Sequence, residues 1–263
     1  MYKYLFNNSS TTPLDETWKS KISEALQKHH IESSLDSWNS EEDLANKLNG
    51  ISKSTTNTLV VIGNDKDFAA LIGMLGELND DIAIGYVPLN DGEISQRLAH
   101  KSWESAIEAL AQRRIHETKI FSAGKRFFLD SISLNIQASD NHLPIIVAAD
   151  TKLNLRLPDC KLRFENISDD QYLSKMPLFF SAESIHQRNE PAKLDLLGGL
   201  RNKLKISSSS QKHLVASLHG KVFHIESAGE ISDNLGRSYK HSLWVGKNSK
   251  SIRLITGRQA RPT

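Results

Sequence analysis

Thr58-Leu59-Val60-Val61-Ile62-Gly63-Asn64-Asp65-Lys66-Asp67-Phe68 is the stretch on which the fold turns. From Leu59 to Ile62 the chain is apolar without alternation and rich in β-branched residues, the pattern of a central parallel strand covered on both faces. The run stops at Gly63, polar residues follow, and a helical reading begins at Phe68 and extends to Leu78. Strand, tight turn and helix together form the unit in which α/β proteins hold phosphate. The first N–H groups of a helix lack partners, and the helix dipole favours an anion at that end. Asn and Asp are also the ordinary residues of turns and N-caps, so capping alone accounts for the same letters.

One strand-and-helix unit later the pattern returns in Ile82-Ala-Ile-Gly-Tyr-Val-Pro88-Leu89-Asn90-Asp91-Gly92-Glu93, a strand running into a second polar turn. Two such turns can flank one ligand. Upstream, Tyr2 to Phe6 reads as the first strand. Leu14, Trp18, Ile22 and Leu26 fall at four-residue steps, which predicts an amphipathic helix over Pro13 to His30 with Pro13 in its first turn. Ser40 and Asp43 resemble a capping box ahead of Leu44, Leu48 and Ile51. Downstream, Glu93 to His100 and Ser102 to Arg113 read as helices. After Ile115 the texture changes to short runs with partial period-two alternation: Arg126 to Ile136, Leu153 to Leu157, Val222 to Ile225 and Ser251 to Thr256. Ser207 to Ser210 reads as an exposed loop. The expectation is a parallel-sheet, three-layer α/β domain over residues 1–122, followed by a mainly antiparallel β-sandwich over 123–263.

Composition narrows the function classes. Thirty-three basic and 31 acidic side chains leave a net charge of +2, with no overall field of the kind that binds nucleic acid nonspecifically. The single cysteine, Cys160, excludes an internal disulfide, and no apolar run is long enough for a membrane span. Met1 to Phe6 lacks the apolar stretch of a secretory signal, so the cytoplasm is the expected compartment. The histidines, including His29-His30, show no His-x-x-x-His spacing, and neither a Gly-x-Ser-x-Gly elbow nor a Walker lysine motif is present. Cys160 beside Lys161 and Arg163 reads as a plain thiol before it reads as a nucleophile. Arg253, Arg258 and Arg261 form a basic tail that favours solvent over anionic lipid.

With both turns in place, the sequence resembles the diacylglycerol kinase catalytic family. That family includes bacterial lipid kinases and sphingosine kinases and, more remotely, NAD kinases and phosphofructokinases. The resemblance covers roughly the first half of the chain. The family hallmark is a buried strand ending in Gly-Gly-Asp-Gly-Thr and a later strand ending in Pro-Leu-Gly-Thr-Gly-Asn-Asp. Gly63 and Asp65 match the first, with Asn64, Lys66 and Asp67 in place of Gly, Gly and Thr. Pro88, Leu89 and Gly92 match the second, with Asn90 and Asp91 in place of Gly and Thr, and Glu93 and Ile94 in place of Asn and Asp. Tyr4-Leu-Phe-Asn7-Asn8-Ser9-Ser10 looks like the family's opening strand and its Asn-Pro-x-Ser-Gly, with Asn7 and Ser10 matching. Arg126 to Asn135 is similar to the strand that opens the family's β-rich domain.

The resemblance implies ATP and Mg²⁺ as cofactors, and nucleotide and lipid as partners with only peripheral membrane contact. It implies Asn7, Ser10, Gly63, Asn64, Asp65, Lys66, Asp67, Asn90, Asp91 and Gly92 as nucleotide-contacting residues. It also implies a general base in an Asp-Gly-x-Leu-Asp motif, whose nearest counterpart is Glu190-Pro191-Ala192-Lys193-Leu194-Asp195. There Pro191 falls at the base and cannot accept a proton, which leaves the catalytic and metal residues unassigned. Ser227-Ala228-Gly229-Glu230 looks like the family's late Asp-Gly-Glu turn, with Ala228 in place of Asp. With glycine cradle and base both altered, the expected function is a lipid-kinase-like protein that has become weak or noncatalytic. The alternatives are an active kinase acting on a diacylglycerol-like hydroxyl and an unrelated Rossmann-like binding module, the latter favoured by a helical second half.

Overall fold

A computed structural model describes residues 2–10, 15–31, 34–52, 56–77, 81–137, 144–149, 153–157, 160–166, 178–184, 214–233, 236–246 and 250–257. The chain divides into two compact units, Met1–Lys119 with Ser251–Thr263, and Ile120–Lys250.

In the first unit β1 (Tyr2–Asn7), β2 (Leu35–Trp38), β3 (Thr58–Gly63) and β4 (Ala83–Pro88) are connected through α1 (Glu16–Lys28), α2 (Glu41–Ser52) and α3 (Asp65–Gly73). After β4 come α4 (Glu93–Arg97), α5 (Trp103–Gln112) and β5 (Ile115–Ala123). The sheet runs β2-β1-β3-β4 and then the C-terminal strand Lys250–Ile255, which lies parallel to β4 with Arg253 beside Ala83. The pairs of β1 with β2, β1 with β3, and β3 with β4 are also parallel. Leu59, Val60, Val61 and Ile62 are at most 1% exposed, so each contributes about 1.5–3 kcal/mol of burial. Alternation along the strands decides which helix covers which face. Tyr4, Phe6, Val60, Ile62 and Val87 share a core with Ile22 and Leu26 of α1 and Ile107 and Leu110 of α5. On the opposite face Tyr86 meets the ring of Phe68, from α3, at 4.7 Å between centroids. The unit is thus the expected three-layer sandwich.

Local signals hold with shifted boundaries. Helix α1 starts at Glu16 because Asp15 is its N-cap, accepting from Trp18 N at 2.8 Å; Leu14 and Pro13 lie outside the described residues. Ser40 Oγ accepts from Asp43 N at 3.2 Å, but the Asp43 carboxylate reaches Asn39 N at 3.0 Å instead of the backbone of Ser40. Helix α3 is longer at its start than expected: it begins at Asp65, because Asn64 caps it.

The second unit is antiparallel. It contains β6 (Arg126–Phe128), β7 (Ser131–Ile136), β8 (Ile145–Ala148), β9 (Leu153–Arg156), β10 (Cys160–Asn166), β11 (Leu178–Ser184), β12 (Leu214–Gly220), β13 (Phe223–Glu226), β14 (Ile231–Asp233), β15 (Ser238–Tyr239) and β16 (Ser242–Val245). One sheet carries β16-β13-β8-β9, and the other β12-β11-β10-β7-β14-β15. Phe164 and Phe180 from the second sheet and Phe223 from the first meet with centroids 5.2–5.5 Å apart, at the centre of a core drawn from both. No helix occurs among the described residues of this unit. The Cys160 side chain is buried in that core. The segment Ser251 to Thr256, read from its sequence as part of this β-rich half, instead supplies the C-terminal strand of the first unit. The Ser207 to Ser210 tract lies outside the described residues.

Candidate functional site

The carboxyl ends of β1, β3 and β4, neighbours in the first sheet, bring three turns together. Asn64 is the N-cap of α3. Its Oδ1 accepts from Lys66 N at 2.9 Å and Asp67 N at 3.1 Å, while Asn64 N donates to Asp67 Oδ2 at 3.0 Å. This reciprocal capping box uses the helix's own first-turn donors. The Asp67 carboxylate also reaches the turn after β1, where Asn7 Nδ2 donates to Oδ1 at 2.9 Å and Ser10 Oγ to Oδ2 at 2.8 Å. Asn64 Nδ2 closes the circuit by donating to Ser10 Oγ at 2.8 Å. Four of the residues singled out from the sequence, Asn7, Ser10, Asn64 and Asp67, therefore form one network around a carboxylate that is 3% exposed.

Asp65 turns the other way. Its Oδ2 accepts from Ile94 N at 3.0 Å, in the first turn of α4, and its Oδ1 accepts from the Tyr86 hydroxyl at 3.0 Å. Burial first, then the nearby charge of Asp65, pushes the Tyr86 hydroxyl far above the ordinary tyrosine range, so it remains a donor. The turns after β3 and β4, expected to flank a ligand, are thereby in direct contact, and Leu89 N donates to Gly63 O at 2.9 Å between them. Gly92 N is held by Ser95 Oγ at 3.0 Å. Both glycines are needed for close approach. A Cβ at Gly92 would lie 2.2 Å from Asp65 Oδ2, and one at Gly63 2.5 Å from Asp67 Oδ2. Lys66, Asn90 and Asp91 are exposed, and their side chains take no part in the network.

Sequence reasoning missed Tyr86 and Ser95. Tyr86 sits in a buried apolar strand where it reads as core, and only its hydroxyl reveals a polar role. Ser95 lies on the expected helix, three residues after Gly92, a spacing that matches a local cap.

This arrangement bears on whether a polyphosphate fits. The N–H groups of Asn64, Lys66, Asp67, Gly92 and Ile94 that line the two turns all have acceptors within the chain. Two of those acceptors are carboxylates, which repel phosphate unless a cation intervenes. As folded, the turns are filled by side chains, and the residues present do not fit a bound triphosphate. No grouping of three or more His, Cys, Asp or Glu side chains able to hold a metal occurs among the described residues. The Glu190 to Asp195 segment lies outside them. The Ser227 to Glu230 turn is described in the second unit. There Ser227 Oγ donates to Gln137 O at 3.2 Å, and a Cβ at Gly229 would lie 2.1 Å from the same oxygen. No helix among the described residues is long and apolar enough to cross a membrane.

No known protein family profile matches the sequence, and no curated protein does. Solved structures do. A diacylglycerol kinase from Bacillus anthracis str. Sterne aligns over 97% of this chain and 96% of its own, with a TM-score of 0.61 and 12% identity. Two putative diacylglycerol kinases from the same organism align over 97% of this chain and 97% and 96% of theirs, with TM-scores of 0.65 and 0.64 and identities of 10% and 12%. The chain has the diacylglycerol kinase fold. Within that diacylglycerol-kinase-like fold the two polar turns stand at the carboxyl ends of β3 and β4, where ligands of open α/β sheets collect. The reading of an unrelated Rossmann-like module, which a helical second half would have favoured, gains no support from the described residues of the second unit, which carry strands.

Proposed function

We propose that this chain is a lipid-kinase-like protein whose phosphate turns have been taken over by its own carboxylates, leaving it a weak or noncatalytic binder of nucleotide or lipid in the cytoplasm. The supporting observation is the Asp67 carboxylate, which holds Asn7, Ser10 and the Asn64 N–H at the point where an α/β fold of this kind would receive an anion. Phosphoryl transfer depends on positioning and charge neutralisation. A turn whose donors are already engaged by an internal anion supplies neither. Asn7, Ser10, Gly63, Asn64, Asp65, Lys66, Asp67, Asn90, Asp91 and Gly92 are the residues proposed to meet whatever nucleotide is retained, with Lys66 the exposed cation among them. ATP, with and without Mg²⁺, is the ligand to test first, because a cation is what would offset the repulsion between phosphate and the Asp65 and Asp67 carboxylates.

The decisive experiment is calorimetric titration with ATP, ADP and NAD, with and without Mg²⁺, alongside a phosphoryl-transfer assay on diacylglycerol vesicles. Weak or absent binding and no lipid phosphorylation are expected. Saturable ATP binding with turnover on diacylglycerol would establish an active kinase instead.

A further inference from the structure

Beyond the turns, the first unit contains a buried histidine that no part of the proposed function uses. Helix α4 ends in a tight reversal: Ala99, at φ 56°, occupies the left-handed region, and His100 N donates to Ser95 O at 2.9 Å. The end of the C-terminal strand docks on this reversal. Gly257 N donates to Leu98 O at 2.8 Å and Thr256 N to Arg114 O at 3.0 Å. The approach is close enough that a Cβ at Gly257 would lie 1.9 Å from Ala99 O. His100 is 4% exposed, and neither ring nitrogen meets a hydrogen-bond partner; the same holds for Thr256 Oγ1, one residue along the docked segment from Ile255. Orphaned polar atoms at such a junction are costly, and a charged ring there far more so.

Burial lowers the His100 pKa to about 4; the Ile255 backbone, close to the ring but outside hydrogen-bond geometry, opposes it weakly. No charged side chain is among the causes, neither Arg97 nor Lys101 on its own segment, nor Arg114 or Arg253 on the neighbouring ones. Among the described residues, an imidazolium formed here has no counter-charge.

We propose that the neutral His100 ring, buried where the end of the C-terminal strand docks on the α4 reversal, makes that docking proton-sensitive, so that acidification releases Ile255 to Gly257. The sign follows from linkage. The docked state disfavours the proton, so docking is at full strength above the ordinary histidine range and weakens as pH falls through it, until the docked ring itself protonates.

Hydrogen exchange on the full chain, with rates corrected for intrinsic pH dependence, tests this directly. Protection of the Thr256 and Gly257 amides should fall about 30-fold between pH 7.5 and pH 5, while that of Val61 in β3 stays unchanged. His100→Gln and His100→Phe, which cannot take up a proton, should show equal protection at both pH values. The same loss in both variants, or none in the unsubstituted chain, overturns the proposal. Should both variants fail to fold, NMR of the ¹³C-histidine-labelled chain decides. The His100 ring and the Gly257 amide must titrate together, and separate transitions overturn it.

Discussion

The turn after β3 and the turn after β4 occupy equivalent places, each following a buried parallel strand and opening a helix, yet they are closed by different means. The first closes itself, with Asn64 and Asp67 exchanging hydrogen bonds three residues apart. The second depends on Asp65, 29 residues upstream of Ile94. A local cap forms with its own helix, whereas a borrowed cap forms only once the sheet has assembled. Stability changes at the first turn, whose carboxylate also holds Asn7 and Ser10, should therefore be large and independent of the second turn, and those at the second smaller and coupled to the first.

Asp67→Ala tests that difference most severely. It strands three donors around a buried site and should cost about 3 kcal/mol in urea denaturation, against about 1.5 kcal/mol for Asp65→Ala. Equal losses would erase the distinction between the turns. A smaller effect comes from Gly92→Ala, whose new methyl group would meet the Asp65 carboxylate. About 1 kcal/mol should be lost in the unsubstituted chain and almost nothing in an Asp65→Ala background, a coupling read from a double-mutant cycle. If the cost survives the removal of Asp65, the two turns are not in the contact described. Tyr86→Phe should have the smallest effect, about 0.5–1 kcal/mol, because Asp65 keeps its bond to Ile94 N. In an Asp65→Ala background the cost should shrink without vanishing, because the hydroxyl also donates to Gly63 O at 3.3 Å.

Much of the first unit was legible from sequence because its signals are local. Leu59 to Ile62 could only be a buried strand, and Asn64 followed by Asp67 carries both the capping reading and the phosphate reading in the same letters. The structure realises the capping one, and in doing so places Asp67 against Asn7 and Ser10, residues marked from a different strand. The link from Asp65 to Ile94 was not legible, because the sequence suggests that the two turns lie near each other but does not record which side chain of one reaches the backbone of the other. Nor did Tyr86 declare itself, since one hydroxyl in an apolar strand has the same pattern as a core tyrosine. The alternation from Ser251 to Thr256 marked a strand, found at Lys250–Ile255, but could not say which sheet would receive it. Pairing partners are set by topology, and a period of two carries no information about it.

That last strand gives synthesis an order. Strand β4 is complete by residue 88, but one of its two parallel neighbours is not made until residue 255. While the ribosome lays down the intervening chain, one side of β4 offers unpaired N–H and C=O groups, the kind of edge that recruits wrong partners. The second unit, whose strands all lie between Ile120 and Val245, has its full set of pairing partners before the first unit does. The unit whose strands come first in the sequence is thus the one that completes its pairing last, and a chain truncated after residue 245 should pair the strands of the second unit while one edge of β4 stays open.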